Sequence, residues 1–407
     1  MSNMERDMTK FRDCGGALAL ATLLATPHAG LAQDNGVTVG MALAYSGWMQ
    51  AYDGEAGNMA ELWVEQKNAA GGLLGEQIEL IRGDTKTDRV VGAKVGEDLV
   101  SQGSDLLVVS CDLDYGSPAA LAAASAEIVN VFICAAEPRV VPAIGPYSFT
   151  SNTAGQLDGV TMAAWGSKEK SFSKGYVLLD ETIEYNKAAC AGYDWQMAQQ
   201  GSEIVGRDSF KGVDPVISSQ ITRLAEAIRN DAVDHVMFCS TMPGAGSALR
   251  QIRAAGIDIP ILSLATLDGT YWLDSVPGLK DFYIPVQAMT TGDDPRAEIN
   301  QLTAAYESRF GQRPSTIWAY PIYAWLDLWA QAVEKVGTTD AEAVVAEMNT
   351  YAEVPTVLGP RSFSPMIHIQ TNVPLLITEF RDGKQSMVGE WRIDQPIPDN
   401  VLFRTKN

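Results

Sequence analysis

The chain reads as an α/β protein folded into two doubly wound lobes, and three observations point there. Short apolar runs rich in branched residues alternate with helix-favouring segments, as at 106–109, 118–127 and 129–133, which is the strand, helix, strand unit of a parallel sheet. With 407 residues, 46% of them apolar, the chain is too long for one ordinary core. The alternation is interrupted at 145–156, GPYSFTSNTAGQ, by turn-forming residues that suit a crossing between lobes.

Taken in order, residues 36–44 form a first strand running into Tyr45-Ser46-Gly47-Trp48, a polar and aromatic loop at a strand's carboxyl end. A helix over 55–70 follows, stopped by Gly71-Gly72, and then a strand at 77–82 and a helix marked by Val91, Val95 and Leu99. Trp63 lies on the first helix's apolar face and reads as core, whereas Trp48 lies in a loop. The 106–109 and 129–133 strands end in Cys111-Asp112-Leu113-Asp114-Tyr115-Gly116-Ser117 and Cys134-Ala135-Ala136-Glu137-Pro138. In open α/β sheets ligands sit beyond such ends, so the two loops are expected to face one pocket, beside a helix starting near Gly116.

Beyond 156 the theme repeats, with strands at 175–179, 204–210 and 235–239 and helices at 186–200 and 216–229. Asp180 to Tyr185, Ser240-Thr241-Met242-Pro243 and Ala265-Thr266-Leu267-Asp268-Gly269 follow strands of this second set. The chain is expected to cross back at 282–289, cover the first lobe with helices at 298–310, 318–336 and 341–348, and cross a third time near 354–360. That gives lobe 1 as 36–150 and 289–355, and lobe 2 as 151–288 and 356–398.

The composition narrows the function. A formal charge of −20, from 50 acids against 30 Lys and Arg, argues against nucleic-acid or anionic-membrane partners, which require a basic footprint. In residues 1–32, Arg6, Lys10 and Arg12 stand among three acids and precede CGGALALATLLATPHAGLA. This fits a secretory signal peptide cleaved near Ala32, the acids leaving an uncleaved anchor as the alternative. Export permits oxidation of Cys111, Cys134, Cys190 and Cys239. Cys111 and Cys134 close neighbouring strands, where a bridge is geometrically feasible; Cys190 with Cys239 is a second pairing, and buried free thiols are the alternative.

Catalytic patterns are sparse. His235 lies inside an apolar strand, His368 stands alone, and no nucleophile elbow, HExxH or Walker loop occurs. Gly244-Ala245-Gly246-Ser247 lacks the third glycine of a dinucleotide fingerprint. Cysteine spacing gives no metal motif, and no cofactor is expected.

The stretch NAAGGLLGEQIELIRGDTKTDRVVGAKVGEDLVSQGSDLLVV resembles the periplasmic solute-binding proteins of ABC transporters, the leucine/isoleucine/valine-binding type, and the resemblance extends over 36–395. It implies two Rossmann-like lobes joined by a three-stranded hinge, the type I periplasmic binding protein fold, with the strands at 375–380 and 387–391 placed in the second lobe. It implies a monomer in the periplasm that binds a small solute and docks on an inner-membrane permease, and no enzyme. In these relatives the loops matching Asp114 to Ser117 and Ala135 to Glu137 hold the ligand's carboxylate, the counterpart of Tyr185 packs on the ligand, and an acid near Thr266 takes the ammonium. This sequence departs from the pattern: Asp114 and Tyr115 replace serines, Cys-Ala-Ala-Glu-Pro replaces a hydroxyl-bearing loop, and Thr266 aligns with the acid, leaving Asp268 as a substitute. Asp112, Asp114 and Glu137 together disfavour a plain carboxylate. The candidate contacts are therefore Tyr45, Trp48, Asp114, Tyr115, Gly116, Ala135, Ala136, Glu137, Tyr185, Thr241, Thr266 and Asp268. Their aromatic walls suit an amino-acid, amide, aromatic or cationic solute. A ligand-sensing module of the same fold is the alternative.

Overall fold

The computed structural model describes residues 36–405, so the expected signal peptide lies outside the described residues. The apolar runs become strands: β1 (Val37–Leu43), β2 (Ile78–Asp84), β3 (Leu106–Val109), β4 (Val129–Phe132) and β5 (Ser148–Thr150) form an all-parallel sheet in the order β2-β1-β3-β4-β5. Every residue of β3 and β4 is buried, because helices cover both faces of such a sheet. The connections are α1 (Gln50–Ala69), α2 (Arg89–Ser101), α3 (Leu113–Ser125) and α4 (Val140–Ile144).

The second half holds β6 (Lys174–Asp180), β7 (Glu203–Phe210), β8 (His235–Cys239), β9 (Ile261–Leu262), β10 (Phe282–Val286), β11 (Leu375–Arg381) and β12 (Lys384–Trp391), in the order β12-β11-β10-β9-β8-β6-β7. Only β11 and β12 run antiparallel to their neighbours. Helices α5 (Gly155–Lys170), α6 (Glu184–Gln199), α7 (Ser218–Asp231) and α8 (Gly244–Ala254) complete it. Helices α5 and α6 touch backbone to backbone: a Cβ on Gly159 would lie 1.9 Å from the Ala189 oxygen, and one on Gly192 2.1 Å from the Gln156 oxygen.

The later helices α9 (Ala297–Phe310), α10 (Tyr320–Val336) and α11 (Ala341–Met348) return to the first half. There Trp63 Nε1 of α1 donates to Asp327 of α10 at 2.6 Å, and the Trp325 ring packs 5.6 Å from Phe149 of β5. The chain ends in α12 (Asp399–Leu402), whose Leu402 carbonyl accepts from Gln156 Nε2 of α5 at 2.7 Å.

Three crossings join the halves. Thr150 N donates to His368 O at 3.0 Å and Ala154 N to Gln370 O at 2.8 Å, pairing the first and third crossings. From the second, the Gln287 side chain donates to Asn152 Oδ1 and accepts from Arg361 Nη2. The third crossing pairs farther along than 354–360, because that segment closes on itself through mutual Val354 and Arg361 backbone bonds at 2.9 Å.

Two helix starts differ from the sequence reading, and both matter for the site. Helix α1 begins at Gln50 and α3 at Leu113, where the Asp112 side chain caps it by accepting from Asp114 N at 2.9 Å. Both cysteine pairs are bonded, Cys111 with Cys134 and Cys190 with Cys239. The two histidines among the described residues, His235 and His368, are core residues. His235 Nε2 meets the Tyr193 hydroxyl at 2.6 Å, while His368 stacks on Phe149 and its ring nitrogens bond Ser148 O and Asn349 Oδ1. Burial pushes His368 down to about 4.

Candidate functional site

The carboxyl ends of β3 and β4, tied by the Cys111–Cys134 disulfide, form one wall of a cavity between the halves. Opposite lie Ile183 to Tyr185 at the start of α6, Thr241 after β8 and Thr266 after β9. The space between these walls is narrow, about 50 Å³. Its sides are closed by Trp48, Met49 and Tyr52 at the head of α1 and by Trp318 just before α10. Trp318 stands edge-on between Tyr52 (centroids 6.1 Å) and Tyr185 (6.4 Å).

The two tyrosines are fixed by hydrogen bonds. The Tyr185 hydroxyl donates to Asp158 Oδ2, and Asp158, which also accepts from Ala265 N at 3.1 Å, is pushed up to about 7 by burial. The Tyr52 hydroxyl bonds Thr241 Oγ1 at 2.8 Å, a direct link between α1 of the first half and the end of β8 in the second. The Thr266 hydroxyl donates to Ser240 O at 2.7 Å.

The acids divide sharply. Glu137, 3% exposed, is neutralised by Arg139 at 3.0 Å and by Arg404, beyond α12, at 3.1 Å. Both arginines also reach Glu184, which Lys187 touches at 2.7 Å. Burial would raise Glu184, but hydrogen bonds from Lys187 and Arg404 outweigh it and hold the carboxyl at about 2. Asp112 has no such partner on the cavity side: burial, helped by the charge of Asp114, pushes it up to about 6. None of the cavity-lining residues is Lys, Arg or His.

Of the expected contacts, the structure brings Trp48, Ala135, Ala136, Glu137, Tyr185, Thr241 and Thr266 to this cavity. It places five elsewhere. Tyr45 lines a neighbouring groove, its hydroxyl buried beside Gly57. Asp114 is exposed near Arg89, and Tyr115, packed edge-on against Trp48 at 5.5 Å under the Arg89 guanidinium, lines an adjoining pocket with Trp48, Ile183 and Thr241. Gly116 is pressed against the sheet, where a Cβ would lie 2.5 Å from Ser110 O. Asp268 is buried and accepts from Ile317 N at 2.7 Å and from Gln385 at 2.6 Å, so its carboxylate faces the protein. The sequence reading missed Tyr52 and Trp318. Tyr52 follows Trp48 by four residues, one helical turn, and becomes visible once α1 is known to start at Gln50.

The profile of the periplasmic binding protein family matches residues 36–385. The chain is 24% identical over 352 residues to the Leu/Ile/Val-binding protein BraC3 of Rhizobium johnstonii, covering 84% of this chain and 92% of that protein. Its fold is similar to that of the branched-chain amino acid transporter substrate binding protein LivJ from Streptococcus pneumoniae in complex with isoleucine (TM-score 0.75, 21% identity, 88% of this chain and 100% of that one). It is also similar to a solute binding protein of an ABC transporter from Rhodopseudomonas palustris BisB5 in complex with 3,4-dihydroxy benzoic acid (TM-score 0.70, 19% identity, 88% and 98%). With parallel sheets in two halves, three crossings and a family match over most of its length, the chain belongs to the periplasmic binding protein family.

Proposed function

We propose that this protein is the substrate-binding component of an ABC importer, catching a small solute of amino-acid, amide or aromatic-acid type between two closing lobes. In this reading residues 1–32 direct export and are removed, the mature monomer works in the periplasm, and the closed form docks on an inner-membrane permease. The lobes are 36–150 with 289–355 and 151–288 with 356–398, turning about the three crossings.

One observation carries the reading: side chains distant in sequence, Tyr52 and Trp318 on one side and Tyr185 and Thr241 on the other, meet around a single cavity. A solute touching both sides binds the closed arrangement better than the open one and shifts the equilibrium by that difference. A micromolar solute supplies about 8 kcal/mol, enough to bias a gap of a few kcal/mol. The relatives' names and bound ligands, branched-chain amino acids and an aromatic acid, support this range of solutes.

The test is a thermal-shift screen of the mature protein against amino acids, amides, aromatic acids and amines. A ligand of the folded state raises the melting temperature. Tyr185→Ala and Trp318→Ala should each abolish the shift given by a hit; an unchanged shift in both would place the solute elsewhere.

A further inference from the structure

The cavity has an electrical character that its family membership does not dictate. Around it, Glu137 and Glu184 are saturated by Arg139, Arg404 and Lys187, and Asp158 is bonded to Tyr185 and Ala265 N. Asp112 is the acid left over: its hydrogen bonds come from the backbone N–H groups of Asp114 and Tyr115 at the start of α3, and no cation among the described residues pairs with it. The charged groups facing it are Asp114, which repels, and Arg89, which is 3.5 Å from Asp114, lies over the Tyr115 ring and keeps 58% of its side chain in solvent. The rest of the wall is Trp48, Tyr52, Tyr185, Trp318, Thr241, Thr266 and apolar side chains, with no cation among them.

We propose that the solute carries a protonated nitrogen on a compact apolar body, with Asp112 as its counter-ion and the four aromatic rings as its walls. This deepens the reading that the cavity holds a solute and rests on it.

The physical reasons are independent of one another. A carboxylate ligand would bring a second negative charge beside Asp112 in a poorly solvated space, where like charges repel strongly. An ammonium would supply the charged partner that backbone N–H groups alone do not give Asp112. Aromatic faces attract cations through the ring quadrupole. The formal charge of −20 also draws cations toward the protein at long range. Burial and the neighbouring Asp114 raise Asp112 to about 6.

The test uses size-matched sets differing only in the polar end: benzylamine, benzamide and benzoate, and 3-methylbutylamine, 3-methylbutanamide and 3-methylbutanoate. Binding to the mature protein and to Asp112→Asn is measured by calorimetry. Asparagine caps a helix as well as aspartate does, and an unchanged melting curve of the unliganded variant checks the fold. Amine is expected tightest and acid weakest in each set, separated by about tenfold or more, and Asp112→Asn is expected to remove that preference while leaving amide affinity within about twofold. An acid bound more tightly than its amine, or an amine preference that survives Asp112→Asn, would overturn the inference while leaving the cavity reading intact. Absence of binding by any of the six at millimolar concentration would count against both.

Discussion

Replacing Tyr52 by Phe removes one oxygen from the place where the two halves touch. The Tyr52 hydroxyl and Thr241 Oγ1 lie 2.8 Å apart and both residues are buried, Tyr52 at 8% and Thr241 at 5% exposure. A neutral hydrogen bond of this kind contributes about 0.5–1.5 kcal/mol net, and leaving one partner dry and unpaired adds to the loss. In an open cleft water satisfies both groups, so the loss falls on the closed form. About 1 kcal/mol off closure weakens solute binding roughly five-fold, and the effect should appear in the dissociation rate. The assay is a double-mutant cycle with Thr241→Val on a hit from the solute screen, with affinities from calorimetry and stopped-flow dissociation. The expected coupling energy is about 0.5–1.5 kcal/mol, with the unliganded protein's melting temperature barely moved. Additive single effects, or unliganded Tyr52→Phe destabilised as much as its complex, would refute the argument that this bond belongs to closure.

Arg404→Ala leaves Glu137 and Glu184 to Arg139 and Lys187; the added negative charge beside the cavity should tighten amine binding several-fold at low salt, and the difference from wild type should shrink as sodium chloride is raised, read from affinities along a salt series. Amine affinity should fall as pH drops below about 6, because protonating Asp112 removes the counter-ion, and Asp112→Asn should flatten that profile in calorimetry. Burial raises Asp53 to about 6 and Asp158 to about 7, above their unfolded value of 3.8. Their contribution to stability is therefore fully present below about pH 4 and lost as pH rises to about 6 for Asp53 and about 7 for Asp158, so this contribution should lower the melting temperature of the unliganded protein between pH 5 and pH 8 in scanning calorimetry, by less in Asp53→Asn. Gly192→Ala forces a Cβ to 2.1 Å from the Gln156 oxygen, and it should cost about 1–3 kcal/mol in denaturant unfolding by pushing α5 and α6 apart.

The layout was legible because its signals are local. Runs such as Leu106–Val109 are apolar on both faces and bounded by polar clusters, and they became buried central strands. Helix α3 was misplaced because two residues compete to start it. Pro118 looks like a first helical position, yet Asp112 caps the chain at Leu113 and Pro118 falls inside the helix. That shift of five residues leaves Asp114 exposed and moves Tyr115 to a pocket adjoining the cavity. Asp268 was misread for another reason. Nothing near it in sequence reveals that Ile317 N, 49 residues away, takes its carboxylate. Trp318 and Arg404 reach the site only through tertiary packing, the first from the turn before α10 and the second from beyond α12, so no periodicity in their own segments could announce them.

Capture between the halves is tested most directly by a crystal structure of the mature protein grown with the tightest hit of the solute screen. The hit should lie against Tyr185 and Trp318, its nitrogen within hydrogen-bonding distance of Asp112, with the Tyr52 and Thr241 hydroxyls still paired. Density for the hit on an outer surface, with this cavity empty, would contradict the account.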